Sequence, residues 1–480
     1  MRDQPPTAIV NCLVENQSNL CAFGISHGPG PYTNSNQRIK TTLADGSYWV
    51  YTYDSLGQVI SGNRYWADNT PGRTTPQWPD SRISMPLTIS EIAVLPNLAS
   101  DSNGTNLLSA TYTANSLNQY TSRTVPGGLD ILGTANTNAT VTVNGSSTSR
   151  KGDYFHLPLT LTNASAAVWQ SITVKASRGG NTNTVTGNAF VPQTPESFTH
   201  DLDGNQTVDG RWNYTWDGEN RLISAVANTA VGPQQRIEFE YDCQSRRIGK
   251  KVWNNTAGTG SPAKSLKFIW DGWNYIAEVD GNNTLVQSYL WGLDLSGSLQ
   301  GAGGVGGLIA VRPSGGVGHF AIFDGNGNVA GLVDGSTGIN SARYEYGTFG
   351  EQVTVTGPMA IANPCRWSGK YTDDETGLIY YGYRHYNVTL GRWQSRDPVE
   401  EHGGKTLYGF VENGPTTKWD RLGLEIKEMV VRTYIETPTI TDPWGDVFEG
   451  DGPGALGGSY RTIHRILIET CGKQKGLVPN

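Results

Sequence analysis

The chain has 480 residues, with 36 lysines and arginines against 43 aspartates and glutamates and a formal charge of −7, which excludes a nucleic-acid partner gripped by a basic surface. Charged residues are only 16%, aromatics are 10% and glycine fills 60 positions, a balance that excludes a mainly helical protein and wholesale disorder. The class predicted is mainly β, built from short strands and many turns.

No apolar stretch reaches the 18 residues of a membrane span, and the start, MRDQPPTAIVNCLVENQSNLCAF, lacks the basic-then-apolar pattern of a secretory signal. The five cysteines, Cys12, Cys21, Cys243, Cys365 and Cys471, are scattered and form no CxxC pair, so synthesis in a reducing cytoplasm is expected.

Residues 1–99 read as a repeat-like region. Their phrase YTYDSLGQVI at 51–60 recurs as YTWDGENRLISA at 214–225, FEYDCQSRRIGKKVW at 239–253, FIWDGWNYIAEV at 268–279 and FAIFDGNGNVAGLV at 320–333. The anchoring acids are Asp54, Asp217, Asp242, Asp271 and Asp324. Each phrase predicts a β-hairpin in which the aromatic packs on one face, the Asp and the following Gly or Asn turn the chain, and the next run pairs back. One hairpin is marginal alone, so stacked copies burying one another's aromatic faces predict a continuous, curved or spiralling sheet.

Residues 100–197 are rich in Thr, Asn, Ser and Val and hold the alternating runs ATVTVNG and SITVKAS, which predicts a β-sandwich-like insert. PQTPESF at 192–198 punctuates its end, and repeats resume over 198–363. Within them DLDGNQTVDGRW at 201–212 imitates a calcium loop through Asp201, Asp203, Asn205 and Asp209, but Gln206 and Trp212 stand where the turn glycine and the bidentate glutamate belong, so turn chemistry is the expected role. Gly301, Gly303 and Gly306 match a GxGxxG spacing, yet LIAVRPSGG follows instead of an amphipathic helix, so no nucleotide cofactor is expected. The seven histidines show neither HExxH nor HxxxH spacing, no metal site is expected, and His402 beside Glu400 and Glu401 reads as a solvated loop.

The most informative block is 364–424, PCRWSGKYTDDETGLIYYGYRHYNVTLGRWQSRDPVEEHGGKTLYGFVENGPTTKWDRLGL. Read by residue type it predicts a strand over 378–386 covered on both faces, with Arg384 and Arg392 stacked on aromatics or paired with Asp373 or Asp374. Four phrases in order, RWSGKYTDDETGLIYYGYRHY, GRWQSRDP, LYGFVENGP and DRLGL, resemble the Rhs repeat-associated core domain, and the upstream phrases resemble that family's YD repeats.

The resemblance implies a hollow shell of β-hairpins enclosing a variable C-terminal polypeptide, which the core domain of cleaving members releases by cutting its own chain. The family's aspartate pair falls on Asp397 and Asp420, with Arg396 beside the first and the cut between Leu424 and Glu425. Two carboxylates sharing a site cannot both ionise, so one can polarise a carbonyl while the other activates water, and a neighbouring arginine can bias which holds the charge. The block departs from the family at Asn387–Val388, where the pattern has Asp-Pro, and at Arg421, which either holds Asp420 ionised or points away.

Residues 425–480 occupy the cargo position. Two alternating runs, at 429–435 and 460–469, flank a turn-rich middle and predict a small β unit whose acid–base groups are Asp442, Asp446, His464 and Glu469. The partners implied are this tail, an export apparatus and an immunity protein, with secretion or surface display after cytoplasmic synthesis. The alternative from another class is a surface or wall-associated β-repeat protein that binds carbohydrate or neighbouring cells and never cuts itself, kept open by the 14 tryptophans.

Overall fold

A computed structural model describes residues 37–43, 46–65, 83–84, 94–96, 109–152, 154–403, 406–435, 440–441, 447–448 and 464–470. Cys12, Cys21, Cys471, Asp442 and Asp446 lie outside these. The chain divides into a unit of residues 1–426 and a unit of residues 427–480.

In the first unit, a 14-stranded sheet runs in sequence order from Thr199–His200 to Gln352–Thr356, every neighbour antiparallel. The repeat phrase explains it. Asp54 Oδ1 accepts the N–H groups of Leu56 and Gln58, both at 2.9 Å, and Asp217, Asp242 and Asp324 grip the second and fourth residues after themselves in the same way. The third residue after the acid takes positive φ, as Asn220 (59°) and Ser245 (64°) do, which closes a tight turn around the carboxylate. Asp271 departs from this: its hairpin turns directly from Asp271 to Asn274.

The aromatic before the turn stitches consecutive strands. Trp216 Nε1 donates to Gln206 O, Tyr241 Oη to Leu222 O, Trp270 Nε1 to Arg247 O and Tyr346 Oη to Val329 O, at 2.7–2.8 Å. Each acceptor lies at the start of the preceding strand, so the ring buries its apolar body while its polar tip satisfies a backbone carbonyl.

Gly128–Val191 forms the sandwich. A four-stranded sheet containing Thr140–Val143 and Val168–Arg178 faces a three-stranded one containing Tyr154–Thr160, with Val141, Val143 and Phe155 at its core. The hairpin before it, Ser109–Ala114 with Tyr120–Arg123, is built like the repeats, with Asn115 Oδ1 accepting the N–H groups of Leu117 and Gln119 at 3.0 Å. Asp201 and Asp209 serve as turn residues: Asp201 Oδ1 accepts Asn205 N–H at 2.8 Å, and Asp209 takes the N–H groups of Arg211 and Trp212.

Block 364–424 packs against the large sheet. Four of its strands, Tyr371–Thr372, Leu378–Tyr380, His385–Asn387 and Arg392–Trp393, pair in sequence order. The single strand expected over 378–386 is two antiparallel strands, because Gly382 at φ +119° turns the chain and Tyr381 N–H closes on Arg384 O at 3.0 Å. The expected partners Asp373 and Asp374 are engaged elsewhere. Arg247 Nη1 and Lys250 Nζ, both from the sheet, donate to Asp373 at 2.6 and 2.7 Å, and Arg366 holds Asp374 at 2.6 Å. Arg247 also lies 4.5 and 4.6 Å from the ring centres of Tyr371 and Tyr380. Arg392 stacks on Tyr120 and donates to Asn118.

In the second unit, Met429–Ile435 pairs antiparallel with His464–Thr470, and Ile440–Thr441 with Val447–Phe448.

Candidate active site

Three side chains from separate elements converge in block 364–424. Arg384 leaves the turn made by Gly382, Asp397 follows the strand Arg392–Trp393, and Asp420 lies on the strand Lys418–Arg421. Arg384 Nη2 donates to Asp397 Oδ2 at 2.9 Å and lies 3.4 Å from Asp420 Oδ2. The three residues are 2%, 7% and 1% exposed. The guanidinium is fixed from behind by Trp393, whose ring centre is 4.2 Å away, and by a donation from Nε to Gly423 O.

Burial pushes the Asp420 carboxyl up to about 6, with Arg384 the main opposing influence and Asp397 adding to the rise. Asp397 is raised for the same reason, and Arg384 again opposes. One cation facing two buried carboxylates is neutral when one of them keeps a proton, which is the state this environment favours.

The chain after Asp420 wraps back onto it. Leu422 (φ 64°) and Gly423 (φ 78°) are consecutive left-handed residues, which turn the N–H of Leu424 onto Asp420 Oδ1 at 2.9 Å. On the other side, a Cβ placed on Gly403 would lie 2.4 Å from Asp397 Oδ2 and 3.0 Å from Leu424 O. The two oxygens therefore border one small space that only a glycine leaves open. The Leu424 residue is thus held at its N–H by one carboxylate, and its carbonyl oxygen borders the same space at Gly403 as the other, while Glu425, the next residue, is exposed.

Asp397, Asp420, Leu424 and Glu425 are therefore brought together, whereas Arg396 is not. It is exposed, its side chain lies against Gly204, and its charge acts on Tyr408. Arg384 occupies the place between the carboxylates that was expected of Arg396. Arg421 forms no ion pair with Asp420 among the described residues, because neighbours on a strand point to opposite faces. Reading by residue type missed Gly403; for Arg384 its alternative of stacking on an aromatic holds, on Trp393, and its alternative of pairing with Asp373 or Asp374 does not. The one signal for Arg384 was its place among the aromatics of YYGYRHY.

Gly403→Ala is expected to leave the fold intact and slow any chemistry at Leu424 at least tenfold. A methyl 2.4 Å from Asp397 Oδ2 must push that carboxylate out of place, and small misplacements of reacting groups are costly. Intact mass against time reads the rate, and wild-type speed would count against the arrangement.

No protein-family profile matches the chain. The chain is 27% identical over 260 residues to the tRNA nuclease WapA of Bacillus subtilis (strain 168), covering 52% of this chain and 10% of that protein. It is 29% identical over 219 residues to RhsB of Dickeya dadantii (strain 3937), covering 44% and 14%. A solved structure of the Photorhabdus luminescens Tc holotoxin pore aligns with 82% of this chain and 19% of its own at a TM-score of 0.38 and 16% identity. Over about half its length the chain is thus similar in sequence to Rhs-type proteins. It spans about a tenth of the length of the first of these relatives.

Proposed function

We propose that this Rhs-type protein cuts its own main chain between Leu424 and Glu425 and so frees residues 425–480 from a β-hairpin shell that encloses or presents them. The observation that carries the reading is the placement of Leu424, its N–H on Asp420 and its carbonyl oxygen on the same space at Gly403 that Asp397 borders. Asp397 and Asp420 hold one proton between them. The protonated carboxyl donates to the Leu424 oxygen as the ionised one takes a proton from water. The water oxygen bonds to the carbonyl carbon, the C–N bond breaks, and the Glu425 nitrogen takes the proton, leaving a Leu424 carboxylate and a Glu425 amine. Arg384 keeps the pair from becoming wholly neutral or doubly charged.

The freed polypeptide is the candidate toxin, acting in bacterial competition or cell-contact delivery, a reading supported by similarity to relatives named tRNA nuclease and toxin. That role adds an export apparatus and an immunity protein as partners, with secretion or surface display after cytoplasmic synthesis. Among the described residues no helix is long and apolar enough to cross a membrane.

The reaction needs one proton on the pair, so its rate falls as the pair loses it. With Asp420 at about 6, cleavage is expected to slow about tenfold per pH unit above that value and to slow again in acid, where both carboxyls are protonated. Purified chain incubated from pH 4 to 8 tests this, with the new N-terminus sequenced. A fragment beginning at Glu425 and a bell-shaped profile are expected. A cut elsewhere, or a rate that rises steadily to pH 8, contradicts the reading.

A further inference from the structure

Leu422 is 5% exposed and holds φ 64°, a conformation leucine rarely adopts unless its surroundings impose it. Those surroundings are a pocket lined by aromatic rings and by the glycines Gly303 and Gly382. A Cβ on Gly303 would lie 3.2 Å from Leu422 Cδ2, and one on Gly382 would lie 3.5 Å from it and 3.3 Å from the Trp273 ring. A side chain on Gly303 would crowd the leucine, whereas Gly382 is held to glycine by its φ of +119°. The pocket is rigid for local reasons. Asp294 Oδ2 accepts the N–H groups of Ala302 and Gly304 at 2.7 and 3.1 Å, which sets the loop that carries Gly303. Gln300 ties the same loop to Trp273 N–H at 2.8 Å, and the buried Lys370 donates to Gly303 O at 2.5 Å. Tyr383 N–H, one residue from Gly382, holds Leu422 O at 3.0 Å. Beside Leu422 about 20 Å³ remains, room for about one water molecule, so the pocket's occupant is this chain's own leucine.

We infer that this pocket is the subsite that receives Leu422, two residues before the cut, and sets which peptide bond lies between Asp397 and Asp420. The seat fixes the first of two left-handed residues, Gly423 follows as the second, and the N–H of Leu424 reaches Asp420 only from that path. The glycine-rich segment 301–306, which matches a nucleotide-binding spacing without its context, thus has a role in holding the chain's own substrate strand. The pocket, with the aspartate pair, makes Leu-Gly-Leu the recognised segment. The kinetic part of this inference rests on the self-cleavage reading.

The test uses the full chain as wild type, Leu422→Ala, Leu422→Met and Asp420→Asn, followed by intact mass against time and by backbone amide exchange. Loss of the branched side chain is expected to slow cleavage about 10- to 100-fold, and methionine, which keeps the volume, is expected to recover most of that loss. The Gly423 and Leu424 amides of Leu422→Ala are expected to exchange faster while residues 371–386 stay protected as in wild type. A Leu422→Ala chain that cuts at the wild-type rate overturns the inference. If wild type stays whole like Asp420→Asn, the self-cleavage reading fails by itself. The exchange comparison then decides the seat: faster exchange at Gly423 and Leu424 supports it, and unchanged exchange overturns it.

Discussion

Asp420→Asn is expected to stop release of residues 425–480, slowing it at least about 10³-fold, the scale of a lost acid–base group. Asparagine neither shares a proton nor takes one from water, and with Asp420 gone Arg384 pairs with Asp397 alone and holds it ionised. The fold should persist. The amide oxygen of asparagine still accepts the Leu424 N–H that Asp420 Oδ1 holds at 2.9 Å, and the substitution removes a charge from a site only 1% exposed. Intact mass separates the two chains, and a variant that cuts at a tenth of the wild-type rate or faster would remove Asp420 from the chemistry.

Asp373→Ala is expected to cost about 3–5 kcal/mol of stability, the range for breaking a buried ion pair from one side. Asp373 is 1% exposed and joins Arg247 and Lys250, both equally buried, from the large sheet to block 364–424. Its carboxyl is held well below the usual range by those two cations against the opposing effect of burial. Removing it leaves Arg247 among the rings of Phe239, Phe268, Tyr371 and Tyr380 with no other ion pair among the described residues, and leaves Lys250 with Glu375 at 2.6 Å. Denaturant unfolding, run in an Asp420→Asn background so that chain scission does not intrude, reads the loss. A change under about 1 kcal/mol would mean that the sheet and the block are held by their aromatic contacts alone.

Turn chemistry was readable in the sequence wherever it was local. Asp54, Asp217, Asp242 and Asp324 each act on residues two and four places on, so their phrases announce the hairpins without any knowledge of tertiary contacts. Asp271 shares the phrase, yet the chain turns one residue sooner there, at Gly272 and Trp273. The same phrase therefore permits more than one loop length. What the ring tips do was hidden, since Trp270 reaches a carbonyl 23 residues back, and that acceptor exists only once the strands have paired.

The candidate site divides along the same line. Its aspartates and cut position came from the resemblance of GRWQSRDP and DRLGL to the core domain. The charge that governs them could not be read from proximity in sequence. Arg396 is the immediate neighbour of Asp397, but adjacent residues diverge, and the guanidinium that bridges the pair belongs to Arg384, 36 residues from Asp420. Its placement depends on Gly382 breaking what alternation alone describes as one strand. Gly403 carries no signal of its own, since its meaning is the space it leaves between Asp397 and Leu424 O.

Hydrolysis of the chain's own bond after Leu424 is read from the intact mass of purified wild-type protein held near pH 6. Two species are predicted, one ending at Leu424 and one of roughly 6 kDa beginning at Glu425, the share of 51.9 kDa that residues 425–480 represent. A folded chain that remains at its full mass under those conditions would mean that Asp397 and Asp420 do not cut the chain.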